Sequence, residues 1–255
     1  MSAGPSAVRI ALLLPDVLGT YSDRGNATVL ARRLHWRGVG VEVVEVPSDA
    51  GPPTSCDLFL LGGGEDAAQA YAARWLRGQP KLCAALQTTQ VVAVCAGLQL
   101  LGQWMQGGDG RRIPVAEVLD LTTAPGQRRA VGEVVAHCTD PAVATLTGFE
   151  NHRGLTALGP GLQPLGRVEH GTGNGDGGDG VLTSNVIATY LHGPVLARNP
   201  DLADLVLRRV TGSTRLPDLD VPDEAAARRG HFALVDRARR RARRFGRAVP
   251  GPARS

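Results

Sequence analysis

The chain is expected to be an α/β protein built on a mostly parallel sheet. Through residues 8–105, short apolar runs of strand length alternate with segments whose apolar residues recur at helical spacing. That alternation implies right-handed strand–helix–strand crossovers. The runs are also continuous rather than alternating, as in strands buried on both faces.

The elements follow in order. Val8–Pro15 (VRIALLLP) is the first buried strand. The loop DVLGTYSDRGN leads into a helix at Ala27–Arg37, stopped by Gly38. Val41–Val46 is β-branched and strand-like. Leu58–Leu61 is a strand running into Gly62-Gly63-Gly64. Asp66–Leu76 and Lys81–Gln87 read as helices, Val91–Val94 as a strand, and Gly97–Met105 as a helix. After Gly107 the texture changes. Val118–Leu121, Gly132–His137 and Val181–Ile187 read as strands between turn-rich segments, so antiparallel or mixed strands are expected in the second half. Gly171–Gly180 (GTGNGDGGDG) is low in complexity and is expected to be a flexible loop. Pro200–Val210 reads as a helix capped by Asn199, and Val221–Arg244 as a terminal helix with a basic outer face. One globular unit over 8–212, followed by a linker and basic helical tail over 213–255, is the expected division.

Composition narrows the function classes. The 255 residues suffice for a sizeable core, and 43% hydrophobic with 20% charged residues is an ordinary globular balance. No apolar run approaches the roughly 18–20 residues that span a bilayer. The start, MSAGPSAVRIALLLPD, has no basic segment before its apolar stretch, so it reads as a tail entering a buried strand rather than a secretion signal. A cytoplasmic protein is expected. The cysteines Cys56, Cys83, Cys95 and Cys138 show neither C-x-x-C pairing nor zinc spacing, so no metal site is expected. At least three of them are expected to be packed thiols. The net charge of +4 conceals an asymmetry: residues 228–255 carry ten Arg and one acidic residue, a net of +9, which leaves −5 for the rest. The body therefore lacks the basic surface of a nucleic-acid binder. The arginines of the tail (Arg237, Arg239, Arg240, Arg241, Arg243, Arg244) admit two readings, a solvated helix face or contact with anionic lipid at the inner face of the membrane. The solvated face is the commoner outcome for a charge run.

Cys95 is the strongest candidate nucleophile. Val91–Leu101 reads strand, Cys, small residues, helix, which is the pattern of a nucleophile elbow. Ala96 and Gly97 leave room for a tight turn and for substrate, and a following helix N-terminus favours thiolate. The N–H of Ala96 is then placed to stabilise an oxyanion. A lone Cys in an apolar run is more often core, so the assignment needs support elsewhere. The glycines after Leu61 offer further backbone donors; they lack the Lys-Ser/Thr pair of a phosphate loop. His192, in Tyr190-Leu191-His192-Gly193-Pro194, stands just after a strand-like run and is a candidate general base and acid. Asp23, Arg24 and Asn26 lie at the ligand-binding end of the first strand, where they either touch substrate or partner, or cap the first helix; capping is favoured for Asp23.

Taken in order, these segments resemble the class I, triad-type glutamine amidotransferases. The resemblance is strongest to their cobyric-acid-synthase-like branch and, within it, to the GatD-type glutaminase subunits of lipid II isoglutaminyl synthases. Its markers are Tyr21-Ser22-Asp23-Arg24-Gly25-Asn26, Leu61-Gly62-Gly63-Gly64, Cys95-Ala96-Gly97, Leu119-Asp120, Arg129 before Val131-Gly132, Gly148-Phe149-Glu150-Asn151-His152, Gly171-Thr172-Gly173-Asn174 and Tyr190-Leu191-His192-Gly193-Pro194, and they span most of residues 8–245. The resemblance implies a flavodoxin-like three-layer fold with a central, mostly parallel sheet and a C-terminal helical extension. It implies that Cys95 attacks the side-chain amide of L-glutamine, with His192 as general base and acid. Gly63, Gly64 and Ala96 would supply oxyanion N–H groups. Arg129 would bind the glutamine; its neighbour Arg128 remains the alternative.

The implied partner is a MurT-type, Mur-ligase-like subunit in a heterodimer. That partner would use ATP and Mg to amidate the D-glutamate α-carboxylate of lipid II to D-isoglutamine in cell-wall synthesis; no cofactor is implied for this chain. One departure stands out: Pro194 occupies the position two after His192 where the usual triad has Glu. Either the pair acts as a Cys–His dyad or another residue orients His192, with Glu150 and Glu169 both open for that role. The rival readings are an amidotransferase for another carboxylate such as a cobyrinic-acid derivative, a non-catalytic binding module of the same fold, and a cysteine hydrolase of another amide.

Overall fold

The computed structural model describes residues 7–19, 24–53 and 55–244. Tyr21-Ser22-Asp23, and with them the capping reading of Asp23, lie outside the described residues. So do the side chains of Arg239, Arg241, Arg243 and Arg244 in the tail, whereas Arg237 and Arg240 are exposed.

The first half follows the alternation of its apolar runs. In chain order it contains β1 (Val8–Leu13), α1 (Arg24–Trp36), β2 (Val41–Val46), β3 (Leu58–Leu61), α2 (Asp66–Arg77), α3 (Pro80–Leu86), β4 (Gln90–Val94) and α4 (Ala96–Leu100). The second half holds β5 (Trp104–Gln106), β6 (Arg112–Pro114), β7 (Leu121–Cys138), β8 (Thr145–Leu158), β9 (Gly166–His170), β10 (Gly178–Asp179), β11 (Val181–Leu182), β12 (Val186–Thr189), α5 (Val195–Arg198), α6 (Pro200–Thr211) and α7 (Glu224–Arg244).

Two sheets result. The first has the order β11-β12-β4-β3-β1-β2. Its pairs are parallel except for β11 against β12. All four residues of β3 and of β12 are buried, whereas β2, at the edge, is mostly accessible. Uninterrupted apolar runs thus mark the interior strands, as a sheet buried on both faces requires. The second sheet runs β10-β9-β7-β5-β6, with β8 along β7 in a long antiparallel pair. The antiparallel or mixed strands expected of the second half are here. Its register slips between Pro125 and Ala130, a bulge that admits a proline within a strand and turns the chain outward.

Several expectations need correction. The helix read over Gly97–Met105 ends at Leu100, and Trp104–Gln106 is strand. Met105 lies in parallel register with Thr123, so sheet pairing overrides weak local helix propensity. Val118–Leu121 is not a strand: the N–H groups of Val118 and Leu119 both donate to Leu101 O, and β7 begins only at Leu121. Val181–Ile187 divides into β11 and β12 at a turn in which Thr183 Oγ1 accepts the N–H groups of Asn185 and Val186. Asn199 stands at the N-cap of α6 without a side-chain cap bond; its amide instead bonds Thr147 N–H and O on β8. Gly171–Gly180 is ordered rather than loose. Asn174 is buried and its amide clasps both backbone groups of Gly180, each at 2.9 Å.

The terminal helix joins the body through its first turns. Arg33 is 5% exposed; its guanidinium forks onto Asp204 on α6 and reaches Glu224 on α7 at 2.6 Å. Arg228 reaches Asp201 at 2.6 Å. Among the described residues no helix is long and apolar enough to cross a membrane.

Candidate active site

Cys95 caps the carboxyl end of β4, where ligands bind in parallel α/β sheets. Its backbone stands at φ 53, ψ −104, a left-sided conformation that side chains rarely adopt, and α4 starts at the next residue, Ala96. This is the tight strand-to-helix turn expected from Val91–Leu101. Gly97 is required there by close approach, because a Cβ would lie 2.7 Å from Leu61 O. Its N–H donates to Gly62 O at 3.1 Å, which fixes the glycine turn after β3 against the elbow. Gly63 and Gly64 are buried in that turn.

Burial holds the other cysteines in the thiol form. Burial pushes the Cys56 thiol up to about 11 and raises those of Cys83 and Cys138. Thiols so shifted are weak nucleophiles at neutral pH.

A cleft of about 180 Å³ opens beside Cys95. Gly64, Glu65, Gln99, Arg129, Asn151 and His152 are among the residues that line it. Arg129 sits in the β7 bulge, its Nε donating to Asn151 Oδ1 at 2.6 Å and its Nη2 lying 3.6 Å from Glu65 Oε1. Arg128, its neighbour, is exposed as Arg129 is but does not line the cleft. The fold therefore brings Cys95, Gly64 and Arg129 to one cavity.

His192 is 2% exposed and lies beyond the end of β12, the strand parallel to β4. Val94 pairs with Thr189, so the two strands end side by side and deliver Cys95 and His192 to the same edge of the sheet. The N–H and C=O of His192 both pair with Phe149 on β8, at 2.8 and 3.1 Å. His192 is not among the residues lining the cleft itself.

The two carboxylates left open as orienting groups separate. Glu169 is half-exposed and faces His137 at 3.3 Å. Glu150 is buried, 3.2 Å from His152 Nε2, and accepts the N–H groups of Thr172 and Gly173. Of the first-loop residues, Arg24 pairs with Glu45, and Asn26 lies inside α1, buried, accepting the N–H of Leu196 at 3.0 Å. Asn26 thus tethers the segment after His192 rather than capping its helix.

A polar network joins the cleft wall to the residues beneath it, and its bonds were not predicted from the sequence. The Tyr190 hydroxyl bonds Thr156 Oγ1 at 2.7 Å and accepts from Gln99 Nε2 at 3.1 Å, and Thr156 bonds Thr123 at 3.0 Å. The His152 ring stacks on Tyr190 with centroids 3.9 Å apart. Burial raises the Tyr190 hydroxyl pKa, keeping it a neutral bridge. Gln99 had a usable signal, since it lies one helical turn after Cys95 and hence on the same face. The others come from strands that only the sheet brings together.

Comparison with known proteins places this geometry. The CobB/CobQ-like glutamine amidotransferase domain matches residues 9–200. The GatD subunit of the glutamine-hydrolyzing lipid II isoglutaminyl synthase of Staphylococcus aureus (strain N315) is 33% identical over 236 residues, covering 89% of this chain and 94% of that protein. The corresponding subunit of Streptococcus pneumoniae (strain ATCC BAA-255 / R6) is 35% identical over 206 residues, 78% of each chain. A cobyric acid synthase of Sphingopyxis alaskensis is 28% identical over 67% of this chain but only 35% of its own length. Among solved structures, a glutamine amidotransferase superposes with a TM-score of 0.54 at 18% identity, covering 79% of this chain and 98% of its own. A second, from Thermotoga maritima, gives 0.51 at 13% identity over 92% and 98%. These structures share the fold, and the sequence relatives identify the lineage: the chain belongs to the family of CobB/CobQ-like glutamine amidotransferases that includes the GatD subunits.

Proposed function

We propose that this chain is the glutaminase subunit of a lipid II isoglutaminyl synthase, supplying ammonia to a MurT-type, Mur-ligase-like partner. The observation that carries this reading is the 33% identity to a GatD subunit along 94% of that subunit's length. The cobyric acid synthases, by contrast, match only about a third of their own length, which leaves most of such a synthase without a counterpart here.

In this reading Cys95 attacks the side-chain amide carbon of L-glutamine, and the resulting oxyanion is held by backbone N–H groups of Gly63, Gly64 and Ala96. His192 takes the thiol proton and returns it to the departing ammonia. Water then hydrolyses the glutamyl thioester, and glutamate leaves. Arg129 takes the α-carboxylate, for which a guanidinium fork is suited. Its place on the cleft wall, from which Arg128 is absent, supports that choice. Glu65 and Asp66 on the same wall offer acceptors for the α-ammonium. The partner binds ATP and Mg and activates the D-glutamate α-carboxylate of lipid II, which places the pair in the cytoplasm near the inner membrane face.

The test is reconstitution. Purified chain and partner with glutamine, ATP and lipid II are expected to give lipid II with the mass change of one hydroxyl replaced by an amide nitrogen. Cys95→Ala should abolish this with glutamine and retain it with free ammonium. Retained amidation with glutamine would remove the glutaminase assignment of Cys95, and an unchanged lipid II with wild-type protein would remove the substrate assignment.

A further inference from the structure

Asp179, in the glycine-rich segment, has no part in the reaction just described. It is fully buried. Its Oδ2 accepts the Thr189 hydroxyl at 2.5 Å, and its Oδ1 accepts the N–H of Tyr190 at 3.2 Å. Thr189 Oγ1 in turn accepts the N–H of Leu191 at 3.0 Å. The carbonyl of the same Thr189 accepts the N–H of Cys95 at 2.8 Å. One carboxyl group therefore organises residues 189–191, which lie between the elbow and His192.

The carboxyl is itself held by a built support. The Asn174 amide clasps Gly180, the residue after Asp179, and Glu150 accepts the N–H groups of Thr172 and Gly173. Burial pushes the Asp179 carboxyl up to about 6, so the fold keeps an ionisable group at an unfavourable place. A Thr–Leu or Thr–Val contact would fill that space without the desolvation penalty. What the carboxyl adds is direction: two acceptor atoms fix one hydroxyl and one N–H at the strand end.

We propose that Asp179 is a positioning residue for the Cys95–His192 pair, holding the end of β12 that leads to His192 against the Cys95 elbow. The inference rests on the catalytic roles proposed for Cys95 and His192. Proton transfer between nucleophile and base requires hydrogen-bond reach, and a displacement of about 1 Å costs on the order of 100-fold in rate. The glutamine cleft is lined by residues of the turn after β3, α2, α4, the β5–β6 hairpin, β7 and β8, and Asp179 is not among them. Loss of Asp179 should therefore lower kcat and spare KM.

The experiment measures steady-state glutaminase activity of the intact complex with its partner, per folded complex recovered by size exclusion. Asp179→Ala is expected to lose about 100-fold in kcat with KM within about twofold. Asp179→Asn, which keeps an acceptor for the Tyr190 N–H, is expected to recover about tenfold of that loss. Should Asp179→Ala fail to fold, Thr189→Val reads the same coupling, because it removes the hydroxyl at nearly constant volume. Asp179→Ala or Thr189→Val at wild-type kcat overturns the proposal, as does a rise in KM at unchanged kcat. Cys95→Ala and His192→Ala run alongside. If both are inactive while the Asp179 variants are normal, the positioning role alone falls; if either retains full turnover, the catalytic reading falls and takes the positioning role with it.

Discussion

The backbone N–H of Cys95 donates to the carbonyl of Thr189 at 2.8 Å, so the last residue of β12 is bonded directly to the turn that follows β4. Two segments remote in sequence are thereby locked at the end of adjacent parallel strands. The strained turn and the strand leading to His192 form one mechanical unit, and the predictions follow from its parts.

Strain at Cys95 separates two inactive variants. Cys95→Ala keeps a side chain at φ 53, whereas Cys95→Gly relieves the conformation. Cys95→Gly is expected to be more stable than Cys95→Ala by about 1–2 kcal/mol, within the range typical of residues in sparsely populated backbone regions. Urea unfolding of both variants measures this, and equal stabilities would show that the elbow stores no strain.

Gly97→Ala tests the packing beneath the elbow. The added Cβ meets Leu61 O at 2.7 Å and Leu61 C at 3.0 Å, backbone atoms with little freedom to give. A loss of about 1–3 kcal/mol is expected from overpacking. Glutaminase activity should fall as well, because the displaced atoms carry Cys95. Full activity at wild-type stability would mean that the elbow tolerates a shift of its glycine support.

Arg129 and Arg128 should behave differently despite being neighbours. Arg129→Ala is expected to raise KM for glutamine by about 10–100-fold with a smaller change in kcat, as for loss of a charge-assisted carboxylate contact. Arg128→Ala should leave both parameters near wild type, since Arg128 does not line the cleft. Steady-state kinetics of the two variants decides, and the reverse pattern would transfer the role to Arg128.

Two carboxylates give stability opposite pH dependences. Burial raises Asp179 from 3.8 to about 6. Between those values the folded state holds the extra proton, so stability from this group falls as pH rises from about 4 to 6, by on the order of 3 kcal/mol in all. Burial also pulls Asp204 upward, but Arg33 and Arg37 outweigh it and hold the carboxyl below 3.8. Its contribution is present above that value and is lost as pH falls below it. Asp179→Asn should therefore flatten the stability profile between about pH 4 and 6, while Asp204→Asn should act only on the acid side of it. Unfolding free energies at several pH values check both signs, and an Asp179→Asn profile parallel to wild type would show that its pKa is not raised.

How much was legible in the sequence depended on what each strand buries. β3 matches its expected bounds because its apolar residues run without interruption, and β2 because its valines are β-branched even though Glu42 and Glu45 stand among them. β8 gave no such sign. Its buried residues include Glu150, His152 and Thr156, which support or line the cleft, so the apolar alternation that marks a strand is missing where it serves the site. Pro125 and Gly126, to which no strand was assigned from the sequence, open the bulge that presents Arg129. The run GTGNGDGGDG read as flexible because glycine frees the backbone; Asn174 and Glu150 bind it from residues that composition cannot weigh.

By itself the sequence determined the alternating fold, the elbow at Cys95 and the order of the motifs, since these rest on local periodicity and on small residues at a tight turn. Only the tertiary structure decided that Arg129 rather than Arg128 faces the cleft. It alone showed that Glu169 lies at an exposed contact with His137, and that Asp179 joins Thr189 and Tyr190 beside Cys95. The physical reason is common to all three: which side of a strand or bulge a polar side chain takes, and what it meets there, is set by pairing with distant strands, and a polar residue carries no hydrophobic signal of that pairing.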